Sequence, residues 1–208
     1  MIDPTFVVIV FLLGPILVIA QKDPNCSKLP DRNGLRGTAS CCRFPAILDQ
    51  QTMSQCWSEL SSSSYSGQLK HCKSMECFFT KKNILQSDGS LDRTAIGAYL
   101  DTLFAGNDVW LNTIKQAALN HCLVGIEKNY DRILDFFRTN GMEFQEESKC
   151  SMKPMLLSIC VGARGFAKCP ANDWNESSTC DEWRKYLDSC TESVENTLEF
   201  YKQLDRAS

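Results

Sequence analysis

Apolar residues return at three- and four-residue steps along most of this chain, and nowhere do they alternate with period two over a convincing strand-length run. The first periodic stretch opens at Phe44-Pro45 and carries Ile47, Leu48, Met53, Cys56, Trp57 and Leu60. The run from Ser61 to Gly67 breaks it. A short helix bearing Leu69, Cys72, Met75 and Phe79 follows. Asp88-Gly89-Ser90 predicts a turn, with Ser90 or Asp92 capping a helix that starts near Leu91 and presents Ile96, Leu100, Leu103 and Phe104 on one side. The longest stripe runs from Asp108 to Arg138 through Trp110, Ile114, Ala118, Cys122, Ile126, Tyr130, Ile133, Leu134 and Phe137. Gly125 is the place for a bend in it, and Asn140-Gly141 is its stop. A helix over about Met152 to Phe166 runs through Met155, Leu156 and Ile159, its end weakened by Gly162 and Gly165. One last amphipathic helix is predicted from Asp181 to Leu204, through Trp183, Tyr186 or Leu187, Cys190, Val194, Leu198 and Tyr201. The fold class expected from this pattern is all-α.

Residues 1–20 stand apart. Phe6 to Ala20 carries no charge and is shorter than the roughly twenty residues a spanning helix needs, and Val18 and Ala20 put small residues where a signal peptidase cuts. It reads as a signal peptide cleaved after Ala20, although its leading residues offer Asp3 and no Lys or Arg. Residues 21–208 then form a single domain. Within it, 21–40 is an extended arm rich in Pro, Asn, Asp and Gly and pinned by Cys26, and 170–208 is a C-terminal extension.

Composition sharpens this picture at one point. The chain holds 12 cysteines, and an even number of thiols on a chain routed to an oxidising compartment implies disulfides rather than metal ligands. The expected disulfide cysteines are Cys26, Cys41, Cys42, Cys56, Cys72, Cys77, Cys122, Cys150, Cys160, Cys169, Cys180 and Cys190. A formal net charge of −3 gives no electrostatic reason to expect nucleic acid or an anionic membrane as partner. A chain of this length buries roughly 70% of its unfolded surface without covalent help. Six bridges therefore exceed what folding needs. One use for the excess is to offset a cavity, which forfeits about 24 cal/mol of packing per cubic ångström.

The ordered set of cysteines carries a resemblance. The doubled Cys41-Cys42 lies upstream, Cys72, Cys77, Cys122, Cys150 and Cys160 sit among helices, and Cys169 is followed at once by Pro170. With the run Cys77-Phe78-Phe79-Thr80-Lys81-Lys82 leading into Asp88-Gly89-Ser90-Leu91-Asp92, the chain resembles the insect odorant-binding proteins, in the twelve-cysteine Plus-C subgroup. The spacing from Cys72 to Cys77 is one residue longer than is usual there. The resemblance implies a disulfide-linked helical bundle around an apolar pocket, with the extended N-terminal arm and an extra C-terminal helix. It implies pairing of Cys41 or Cys42 with Cys77, of Cys72 with Cys150, and of Cys122 with Cys160; the other connections stay open.

By the same resemblance the protein is expected to be secreted and to carry a small hydrophobic ligand such as an odorant or pheromone, with an olfactory receptor or a second copy of itself as further partners. No cofactor and no metal are expected. The candidate ligand-binding residues are the inward faces of the central helices: Leu100, Leu103, Phe104, Trp110, Ile114, Ala118, Ile126, Tyr130, Ile133, Phe137, Met155, Leu156 and Ile159. Each is individually an ordinary core residue as well. Asn175-Glu176-Ser177 is a glycosylation sequon, favoured over Asn25-Cys26-Ser27, whose middle residue is a bonded cysteine. The competing reading is a secreted helical scaffold that binds a macromolecule, salivary or seminal in type, without a small-molecule pocket.

Enzyme readings fail on detail. A secreted phospholipase needs a His-Asp pair close after its doubled cysteine, whereas Cys41-Cys42 leads into Arg43-Phe44-Pro45, and His71 and His121 each precede a cysteine. No Cys-x-x-Cys pair offers a zinc site. Either histidine is a candidate pH trigger that loosens the pocket, against the plainer reading of a surface or capped side chain.

Overall fold

The described residues of the computed structural model are 24–30, 40–139 and 150–205. The leader, most of the 21–40 arm and the Asn140-Gly141 stop lie outside them. From the arm, Pro24–Ser27 forms a 3-10 turn. The helices are α1 (Gln50–Leu60), α2 (Gly67–Lys81), α3 (Arg93–Leu103), α4 (Asp108–Lys115), α5 (Leu123–Thr139), α6 (Lys153–Ala167), α7 (Ser178–Cys190) and α8 (Val194–Asp205). Among the described residues there is no strand, only isolated bridges of Cys42 with Trp174 and Leu85 with Leu91.

Side-chain caps set most of the boundaries. Asp49 accepts from the Thr52 amide at 2.7 Å, so α1 begins at Gln50 and not at Phe44-Pro45; Ile47 and Leu48 precede it as packed, non-helical chain. Ser66 caps α2. Of the two caps open for α3, the structure uses Asp92, whose Oδ1 accepts from Thr94 and Ala95. The turn before it has Gly89 at φ +79, a backbone that glycine adopts without strain.

Two corrections concern the long helices. The irregularity between Asp108 and Arg138 lies not at Gly125 but at Gln116–Cys122, a π segment that joins α4 to α5. Arg93 Nη2 donates to the Leu119 carbonyl within it, at 2.7 Å. The single terminal helix is in fact two. Thr191 caps the end of α7, and Ser193 Oγ accepts from the Asn196 amide at 3.2 Å to begin α8. Periodicity runs straight through this break because the turn is only a few residues long.

Gly162 and Gly165 lie inside α6, which runs on past both to Ala167. At Gly165 a Cβ would stand 2.5 Å from Phe44 Cε2 and 3.0 Å from Ile114 Cδ1. The residue is glycine because another chain segment fills that space.

All twelve cysteines are paired, as Cys26–Cys190, Cys41–Cys180, Cys42–Cys169, Cys56–Cys77, Cys72–Cys150 and Cys122–Cys160. Two of the implied bridges form, and the implied bond of Cys41 or Cys42 to Cys77 does not. The serine break folds α1 back along α2, which brings Cys56 to Cys77. Cys41-Cys42 is held elsewhere: the Asn175 amide donates to the Cys41 carbonyl at 2.7 Å and the Arg43 amide to the Asp173 carbonyl at 2.9 Å. The doubled cysteine thus staples the C-terminal extension.

The main core gathers α2 to α6, around Phe78, Ile96, Leu100, Trp110, Ile114, Leu123 and Leu157. A second, smaller core belongs to the extension, where Trp183, Tyr186, Leu187 and Phe200 close around Cys26 and Cys190. The Tyr186 hydroxyl donates to the Cys26 carbonyl at 3.1 Å. Burial pushes its ionisation up to about 12. No described helix is long and apolar enough to cross a membrane.

Candidate functional site

A cleft of about 280 Å³ opens between the π segment with the start of α5 on one side and the α7–α8 turn with α8 on the other. Ile126, Ile133, Leu156, Leu198 and Val124 give it an apolar surface, and the Cys122–Cys160 disulfide forms part of its wall. Asn129, His121, Thr191, Glu192, Ser193 and Thr197 supply polar groups.

Its geometry is held by a buried cation. Arg164 on α6 is only 8% exposed, so its charge needs partners, and it finds them on the C-terminal pair of helices. Nη1 donates to the Asp188 carbonyl at 3.2 Å and to Thr191 Oγ1 at 3.3 Å, while Nη2 meets Glu192 Oε1 at 2.9 Å. Lys168 joins through Asp188 Oδ1 at 2.7 Å. From the opposite wall, His121 Nε2 lies 2.7 Å from the Thr191 carbonyl. The turn that rims the cleft is therefore tied to both α6 and the π segment.

The predicted ligand-binding set divides. Ile126, Ile133 and Leu156 line the cleft. Leu100 and Ala118 border a narrower void of about 40 Å³, with Phe78, Tyr99 and Leu157. Phe104, Trp110, Ile114, Phe137 and Met155 are buried in the main core, and Leu103, Tyr130 and Ile159 pack partly buried against it. Trp110 is further committed to structure, its indole donating to Asp173 Oδ2 at 2.8 Å and its ring meeting Phe44 edge-on. Lys153 sits 4.9 Å over the Tyr130 ring.

Sequence reasoning missed Asn129, His121, the turn Thr191-Glu192-Ser193, Thr197 and Leu198 as lining residues. The signal was present in Ser193, a good N-cap residue inside what read as one helix. A roomier depression of about 550 Å³ beside the cleft is lined by Asn112, Gln116, Arg164, Lys168 and other mostly polar residues, and offers an apolar guest little. Asn175, the sequon residue, is exposed on the loop before α7, with its Nδ2 donating to the Ser40 carbonyl at 3.4 Å.

A helical shell stapled by six disulfides around an amphipathic cleft defines a small binding protein. A model of the family described as AgamOBP47-like matches residues 45–186, more than half of the chain, and the chain belongs to that family of odorant-binding proteins. Its twelve paired cysteines fit the Plus-C type. It is similar to general odorant-binding protein 68 of Anopheles gambiae, 27% identical over 195 residues that cover 93% of this chain and 88% of the relative. It is also similar to odorant-binding protein 47 of the same species, 25% identical over 169 residues, covering 74% of this chain and 69% of the relative. This is a family of binding proteins and not of enzymes.

Proposed function

We propose that this protein is secreted after loss of residues 1–20 and carries a small hydrophobic molecule, an odorant, pheromone or similar semiochemical, in the cleft between α5, α6 and α8. The single observation that carries this reading is a cleft of about 280 Å³ with an apolar wall of Ile126, Ile133, Leu156 and Leu198. Each square ångström of apolar guest surface removed from water contributes about 25 cal/mol, with no covalent chemistry required. The volume falls just below the roughly 300 to 1,000 Å³ of small-molecule pockets, which suits a compact volatile. Oxidised, two-core construction suits an extracellular life, and Asn175 is the proposed glycan site on the mature domain 21–208.

Displacement of the fluorescent probe N-phenylnaphthylamine tests the proposal. Micromolar binding that is competed by small apolar volatiles supports it. Failure of the oxidised, folded protein to bind the probe or any volatile sinks it and favours the macromolecular scaffold.

A further inference from the structure

The polar groups of the cleft are arranged with a bias. Thr197 Oγ1 donates to the Ser193 carbonyl at 2.7 Å. Asn129 Nδ2 donates to the Gly125 carbonyl at 2.8 Å. His121 Nε2 faces the Thr191 carbonyl at 2.7 Å. A carbonyl oxygen can only accept, so in each pair the side chain supplies the hydrogen. This fixes the amide orientation of Asn129 and the tautomer of neutral His121 on chemical grounds. Those bonds leave a Thr197 lone pair, Asn129 Oδ1 and His121 Nδ1, all acceptors, on residues that line the cleft. Glu192 adds a carboxylate, which also only accepts and whose charge is already met by Arg164 at 2.9 Å. Against these stand the second Asn129 amide hydrogen and the Ser193 hydroxyl, whose oxygen accepts from the Asn196 amide; Asn120, which lines the cleft and gives one amide hydrogen to Gln116 Oε1 at 2.8 Å, adds one donor and one acceptor.

We infer that the cleft selects a neutral apolar ligand bearing a hydroxyl, an aliphatic alcohol or a phenol, over ketones, esters and hydrocarbons of the same size. This deepens the carrier reading and rests on it. A hydroxyl gives a hydrogen to one of these acceptors. A ketone or ester oxygen can pair only with a remaining amide hydrogen or the Ser193 hydroxyl and leaves the more numerous acceptors unpaired, and a hydrocarbon strips their water while returning nothing, which is the asymmetry that makes unpaired polar groups costly. A protonated amine gains less than its charge suggests, because Arg164 neutralises Glu192 and the ammonium surrenders its hydration on entry.

Octanol, octanone and nonane, with equal numbers of heavy atoms, compete for bound N-phenylnaphthylamine in buffer above the imidazole titration range. Octanol is expected to bind about five- to tenfold more tightly than octanone, the worth of one net hydrogen bond. In Thr197→Val and Asn129→Leu, singly and together, this ratio is expected to fall toward one. Equal affinities in the natural protein overturn the inference and leave the carrier reading standing, as does a ratio that both substitutions leave intact in folded protein. If the probe binds and none of the three displaces it, the hydroxyl preference alone falls; if neither the probe nor any volatile binds, the carrier reading falls and the hydroxyl preference with it. The ratio in the natural protein is decisive even if a variant fails to fold.

Discussion

His121 reaches across the molecule to Thr191, its Nε2 set 2.7 Å from a carbonyl seventy positions further along the chain. This bond joins the π segment to the turn between α7 and α8 and so spans the cleft. His121→Leu leaves the Thr191 carbonyl without its side-chain partner and is expected to lower stability by about 1 kcal/mol. Hydrogen exchange should quicken at the Thr197 amide, which bonds the Ser193 carbonyl at 2.9 Å. Unchanged exchange there would deny the bond any role in holding α8.

Val124 lines the cleft yet is only half-buried, so a larger side chain fills the space with limited damage to the core. Val124→Trp should weaken probe affinity about tenfold or more, a loss of about 1.4 kcal/mol of binding. The melting temperature should move little. Full affinity in a folded Val124→Trp protein would place the guest elsewhere.

At Gly165, alanine forces the Phe44 ring out of its edge-on contact with Trp110, at 5.2 Å between centroids. The expected cost is about 1 to 3 kcal/mol, typical of overpacking. Gly162→Ala is the control, because a Cβ there meets nothing within 4 Å and replaces glycine in a helix interior. Calorimetry should show the first variant melting lower and the second level or higher.

The Cys56–Cys77 bridge closes a sequence separation of 21 residues. Replacing both by serine should cost about 3 kcal/mol in the chain-entropy account. Digestion of the oxidised protein should release peptides joined through Cys56 and Cys77. A peptide joining Cys77 to Cys41 or Cys42 would reject the arrangement described above.

Burial holds the His71 imidazole below its usual value of 6.5. The unfolded chain therefore takes up the proton first as the solution is acidified. His71 contributes stability that is complete above the unfolded value and is lost as pH falls through and below it. Chemical denaturation midpoints should decline from neutral to mildly acidic buffer, and His71→Gln should flatten that decline. A slope identical in both proteins would assign the acid sensitivity to other groups.

Much of the architecture was readable in advance where one residue type has one physical consequence. The run Ser61 to Gly67 ends a helix because serines compete for backbone hydrogen bonds, although Gly67 itself already opens α2, and of Ser90 and Asp92 it is Asp92 that starts one because its carboxylate accepts the free amides of the first turn. The stripe from Trp110 to Phe137 is apolar at helical spacing whatever it packs against. The site was less legible. An inward-facing Ile114 and an inward-facing Ile126 look identical in sequence, yet one is walled in by Phe44, Trp110 and α6 while the other borders open space. Periodicity reports that a residue faces inward and does not report whether the space there is filled.

The sequence by itself determined the helical class, the oxidised cysteine set and the family, because periodicity, parity and spacing are properties of the chain alone. Tertiary structure decided which sulfurs meet, since a bond requires two Cβ atoms within a few ångströms and loop paths choose the neighbours. It also decided where the cleft lies. That depends on the short break at Thr191–Ser193, which swings α8 over Leu156 and Ile133, and on Arg164 and His121, which hold the turn in place from residues distant in sequence.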